Sequence, residues 1–138
     1  MSNSYSDRPL ADKLGLKPGQ RVRLIDLDER WFAALLAERG VKTGGRPPYD
    51  MVFFRVDDPA ALGRLGELRE LIAPAGAIWV LRIKGAGGVR PATHVRDTDI
   101  IEAAKGASLV DNKIASFSET LSAMRLVIPL ALRPRKER

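Results

Sequence analysis

Residues 50–59 read Asp50-Met51-Val52-Phe53-Phe54-Arg55-Val56-Asp57-Asp58-Pro59. From Met51 to Val56 every position but Arg55 is apolar and there is no alternation, the pattern of a strand buried on both faces and so of a parallel sheet. Asp57 or Asp58 followed by Pro59 then reads as a helix start, because a short carboxylate accepts from orphan backbone donors and proline suits the first turn. Leu62, Leu65, Leu68 and Ile72 recur at helical spacing, and Ala73-Pro74-Ala75-Gly76 ends that helix. Ala77 to Ile83 is the next strand. Strand, helix and strand in this order form a crossover unit, which places the chain among α/β folds.

On the N-terminal side, Ser6-Asp7-Arg8-Pro9 opens a short helix with Leu10 and Leu14 on one face, closed by Gly15 and the Lys17-Pro18-Gly19 turn. Arg21 to Leu27 is strand one. Asp28 caps a following helix carrying Phe32, Leu35, Leu36 and Arg39, which Gly40 stops, and Val41 to Tyr49 is a loop. Trp31 and Trp79 are expected to face the core. After the third strand, Lys84-Gly85-Ala86-Gly87-Gly88-Val89-Arg90-Pro91 is a glycine-rich connection. A helix from about Thr98 to Lys105, capped by Asp97, leads to two closing strands, Leu109 to Phe117 and Met124 to Leu132. The expected architecture is a three-layer, Rossmann-like α/β sheet of about five strands, mostly parallel, with a C-terminal antiparallel hairpin.

The chain has 138 residues, 45% of them hydrophobic and 29% charged, enough for one domain with a real core. Cysteine is absent, which excludes disulfides, thiolate metal sites and cysteine nucleophiles. The first eight residues hold no apolar run, and no stretch approaches the roughly 20 apolar residues of a spanning helix. A cytoplasmic protein without membrane contact is therefore expected. Of the formal charge of +6, half falls on the last six residues, Arg133 to Arg138, so positions 1–132 read as the domain and 133–138 as a basic tail.

Two segments carry a family likeness. Leu14-Gly15-Leu16-Lys17-Pro18-Gly19-Gln20-Arg21-Val22-Arg23-Leu24-Ile25-Asp26 resembles the opening of class I S-adenosylmethionine-dependent methyltransferases, where a helix, a Lys-Pro-Gly turn and a strand ending in an acid lead into the cofactor loop. Leu71-Ile72-Ala73-Pro74-Ala75-Gly76-Ala77-Ile78-Trp79-Val80 resembles the Pro-Gly-Gly turn and fifth strand of the same proteins. As a whole the chain resembles a short bacterial family of unknown function that reads as truncated methyltransferases, opening here with Tyr5-Ser6-Asp7-Arg8-Pro9-Leu10 through Gly19.

That likeness implies a methyltransferase-like fold lacking the second and third strands. It also marks a departure: where the family places a Gly-x-Gly-x-Gly turn, this chain has Asp28, Arg30 and Phe32. Side chains there would take the space that backbone must leave for a cofactor, so no cofactor and no catalytic residue is expected. Without strands two and three, strand one would become an edge, and its expected cover is a homodimer through that edge or, as the alternative, the N-terminal segment or the Val41 to Tyr49 loop.

Ligands of open α/β sheets sit outside the carboxyl ends of the strands, which nominates Asp26, Asp28, Asp57, Asp58, Lys84, Gly85, Gly87 and Gly88. Helix capping explains the aspartates without a metal, and none is expected. The Lys84 loop lacks the Lys-Ser/Thr ending of a phosphate-binding P-loop. His94 has no second histidine or cysteine to share an ion, and a turn explains the Ser116 to Ser122 polar run. Arg82, Lys84, Arg90 and Arg96 form a basic patch that, with the tail, suggests a nucleic-acid module. The leading expectation is a non-catalytic domain acting by self-association or protein interaction, with methyl transfer and nucleic-acid binding as rivals.

Overall fold

The computed structural model describes residues 10–85 and 94–133. Helix α1 (10–14) precedes β1 (Arg21–Ile25), α2 (Arg30–Glu38), β2 (Lys42–Thr43) and β3 (Tyr49–Arg55). A 3-10 helix (Pro59–Arg64) runs into α3 (Leu65–Arg69), followed by β4 (Ile72–Ile83), α4 (Asp97–Gly106), β5 (Val110–Ser116), β6 (Leu121–Val127) and a closing 3-10 turn (Leu130–Leu132). The six strands lie in the order β2-β1-β3-β4-β6-β5. β1 to β4 are parallel, and β6 runs antiparallel to both β4 and β5.

The uninterrupted apolar run of β3 is explained by two layers. Val52, Phe54 and Val56 face a core built with Leu62, Leu65, Leu68, Ile100 and Ala104 from the 3-10 helix, α3 and α4. Met51 and Phe53 face the opposite core, with Ala11 and Leu14 of α1 and Phe32 and Leu36 of α2. β4 divides in the same way, Ile78 and Val80 to the first layer and Trp79 and Leu81 to the second. Each fully buried large side chain contributes about 1.5–3 kcal/mol, so these two interior strands dominate the hydrophobic term.

Several sequence expectations change at this level. The sheet has one strand more than the five expected, because Lys42 and Thr43, within the segment read as a loop, pair with Arg21 and Val22. The Lys42 amide donates to the Gln20 carbonyl and that of Gly44 to Val22, both at 2.8 Å. Gly44 and Gly45, at φ 81° and 82°, then turn the chain back, and the Tyr49 hydroxyl fastens the turn on the Gly45 carbonyl at 2.7 Å. The helix expected to reach Ile72 stops at Arg69, and Ile72 instead pairs with Tyr49. Gly76 is a point of close strand approach rather than a helix stop: a Cβ there would lie 2.9 Å from the Asp50 carbonyl. The last strand ends at Val127, before Pro129, and not at Leu132.

Two helix starts also differ. Asp28 does not cap α2, whose N-cap is Glu29 with no side-chain bond. Asp97 lies inside α4, and it is Asp99 that reaches back to accept from the Arg96 amide at 2.8 Å. Asp58 does cap, accepting from the Ala60 amide at 2.9 Å, although the helix it starts is 3-10 in its first turns. No helix among the described residues is long and apolar enough to cross a membrane.

Candidate functional site

The carboxyl ends of β1, β3 and β4 lie at one end of the sheet, and the β5–β6 turn joins them because β6 begins beside the end of β4. At the end of β1, Asp26 takes a left-handed conformation, φ 57°, which aspartate tolerates better than most residues. Its side chain and that of Asp28 are exposed, while Leu27 between them is buried in the α1–α2 layer. At the end of β3, Asp57 pairs with Arg55 at 3.1 Å and Asp58 is the cap already described. No group of three or more histidine, aspartate or glutamate side chains suited to a metal occurs among the described residues.

Past the end of β4, the Lys84 ammonium donates to the Ser116 hydroxyl at 2.8 Å and the Ser118 carbonyl at 2.7 Å, tying the strand end to the hairpin turn. Gly85 is exposed beside it. Arg82 faces Asp97 at 2.7 Å with only 16% of its side chain accessible, so its charge is matched within the fold. Arg96 is exposed at the start of α4. Gly87, Gly88, Arg90 and tail positions 134–138 lie outside the described residues, and Arg133 packs back to donate to the Ile128 carbonyl at 2.9 Å. The structure thus brings Lys84 to the hairpin and Arg82 to α4, and does not gather the four aspartates into one group.

Aromatic side chains occupy the space above the strand ends. Phe32, in the first turn of α2, is 0% accessible and meets Phe53 at 5.0 Å and Phe117 at 4.8 Å, both edge to face. Trp31 lies 5.2 Å from Phe117. Trp31 does not face the core as expected: it is 42% accessible, with its indole N–H on Glu29 at 3.1 Å, because Phe32 takes the inward direction of the turn. Trp79 is buried as expected. Beside Trp31 opens a cleft of about 830 Å³ lined by Leu10, Leu35, Lys84, Ser116 and Phe117. A second hollow of about 560 Å³ separates the 3-10 helix from α4, between Pro59, Gly63 and Glu102.

No protein-family model matches the sequence, and no curated protein matches it. Solved structures do resemble it. A methyltransferase dependent on S-adenosylmethionine from Aquifex aeolicus superposes with a TM-score of 0.69 at 11% identity, over 88% of this chain and 89% of that one. The Burkholderia thailandensis 1,6-didemethyltoxoflavin-N1-methyltransferase, crystallised with 1,6-didemethyltoxoflavin and S-adenosylhomocysteine, gives 0.61 at 14% identity over 88% and 76%. CalO1, a methyltransferase of calicheamicin biosynthesis, gives 0.65 at 12% identity, and this chain covers 54% of it. The fold is that of the class I methyltransferases.

The residues at the cofactor end of this methyltransferase fold do not suit S-adenosylmethionine. Between Asp26 and Arg39 there is no glycine, so the backbone cannot be approached as closely as a nucleotide-binding turn requires. Leu27 and Phe32 are buried in the α1–α2 layer, and β2 is followed by Gly44, Gly45 and Arg46, none of them a carboxylate that could hold ribose hydroxyls. Sequence reasoning anticipated the substitution of the glycines. It missed the Trp31 cleft, whose far wall comes from a hairpin more than eighty residues away in sequence.

Proposed function

We propose that this chain is a methyltransferase-fold domain that does not transfer methyl groups and that acts by associating with protein. The observation that carries this reading is the packing of Phe32 against Phe53 and Phe117 at the end of β1. A buried, close-packed aromatic cluster makes way for a nucleoside only at a cost in core packing, on the scale of the about 3–5 kcal/mol lost when a buried Phe is truncated, which binding would have to offset. The half-accessible Trp31 beside an apolar cleft supports association, since tryptophans that combine exposure with a hydrophobic surround are over-represented where proteins bind.

A second copy is one partner for this reading. The structure corrects the expected strand-one edge, since β2 pairs outside β1; along that β2 edge Lys42, with Arg21 beside it, would approach its own copy, so a homodimer there would tighten as salt screens them. Light scattering at low and high salt checks that contact. The central reading is tested by calorimetric titration with S-adenosylmethionine to millimolar concentration: no saturable heat is expected. Saturable binding with one site per chain would favour the methyltransferase alternative.

A further inference from the structure

We propose that the sheet face of β1 and β2 opposite α2 binds the phosphate backbone of double-stranded nucleic acid without reading its sequence. Val22 and Leu24 point into the α1–α2 layer, so Arg21 and Arg23 stand on the other face of β1. Lys42, in register with Arg21, shares that face. The five residues 44–48 that join β2 to β3 are too few for a covering helix, and α3 and α4 pack on β4 and β5. Arg21, Arg23, Lys42 and Arg46 are all exposed as a result.

These cations share one uncovered surface, and among the described residues none of them is matched by a carboxylate there. Elsewhere Arg39, Arg55, Arg64, Arg69 and Arg82 each have a carboxylate between 2.7 and 3.7 Å. Among the described residues, Arg21, Arg23, Lys42 and Arg46 have no ion pair. The Arg21 guanidinium is instead drawn over the 44–48 loop to the Arg46 carbonyl at 3.0 Å, and the Asp50 carboxylate accepts from the Arg21 backbone amide at 2.8 Å. Like charges directly opposite on paired strands weaken a sheet, and Arg21 opposite Lys42 is such a pair, a cost that a polyanion removes.

Chemistry selects the polyanion. Arginine's planar fork matches phosphate oxygens, and successive basic residues on one face of a strand recur every ~6.6 Å. None of these basic side chains has an exposed aromatic in register beside it on β1 or β2. Single strands are gripped by stacking bases on rings, which this face does not offer, whereas a duplex stacks its bases on one another and presents its phosphates on the outside.

Fluorescence anisotropy of the full chain with a short labelled DNA duplex tests the proposal. Four phosphate contacts predict a logarithmic salt slope of about −4, or roughly a hundredfold loss of affinity between about 50 and 200 mM salt. Arg23→Ala with Lys42→Ala should bring the slope to about −2, and Arg23→Glu with Lys42→Glu should abolish binding. The matched reversal Arg96→Glu with Lys105→Glu changes net charge equally and should keep most of the affinity; circular dichroism confirms that all variants fold. The proposal is overturned if no duplex binds at low salt, if both reversals lose affinity alike, or if single strands or polyglutamate bind as tightly as duplex.

Discussion

β1 and β3 are neighbours in register, Val22 beside Met51 and Ile25 beside Phe54, and yet they live in different surroundings. β3 is buried on both faces from Met51 to Phe54, while β1 alternates between exposed arginine and inward apolar residues up to Leu24. The strand itself does not decide this. Burial follows from the connection: the residues after β3 supply a 3-10 helix and α3 to cover one face, and the five residues after β2 supply nothing. A parallel strand left bare on one face has to carry polar residues there, and in this protein they are cations.

The sharpest way to break that contrast is to truncate one residue on each strand. Phe54→Ala should lower unfolding free energy by about 3–5 kcal/mol, as expected for a fully buried ring, and Arg23→Ala should change it by no more than about 0.5 kcal/mol. Denaturant titration reads both, and a large loss at Arg23 would mean that the β1 face is covered after all.

An arginine on an interior strand sharpens the comparison further. Arg82 of β4 is the enclosed counterpart of Arg23, and it has Asp97 at 2.7 Å where Arg23 has no partner carboxylate among the described residues. Asp97→Asn should cost about 1–2 kcal/mol, below the full value of a charged hydrogen bond because Asp97 is 38% accessible and partly screened. Loss of that size should show as a shift of a few degrees in thermal unfolding, and no shift would mean that solvent already neutralises Arg82.

The smallest effect compares the strand ends. Asp58→Ala should cost about 1 kcal/mol through the lost cap on the Ala60 amide, whereas Asp28→Ala should be nearly silent. Equal losses would show that Asp28 caps α2 in solution.

How far the sequence reveals this architecture depends on the range of each interaction. The continuous run at Met51 to Val56 is a local signal and it located β3 and the parallel sheet. Phe32 and Leu36, four apart, located the inner face of α2. The alternation Arg21-Val22-Arg23-Leu24 carried the one-sided burial of β1 in plain form, but its meaning depends on what covers the strand, and that is settled by the length of a distant loop. Lys42 and Thr43 form too short a strand for any periodicity to register. Asp28 and Asp58 occupy equivalent sequence contexts, each just past a strand, and only the backbone entering each helix separates a cap from an exposed carboxylate. Trp31 and Phe32 are adjacent aromatics, so helical phase alone had to assign which turned inward, and Phe117 from the hairpin decided it.

The filled turn after β1 is the central claim, and nuclear magnetic resonance reports on it residue by residue. With S-adenosylmethionine added to millimolar concentration, the backbone amides of residues 26–32 and the ring signals of Phe32 should keep their positions. Saturable shifts confined to those signals would contradict the account.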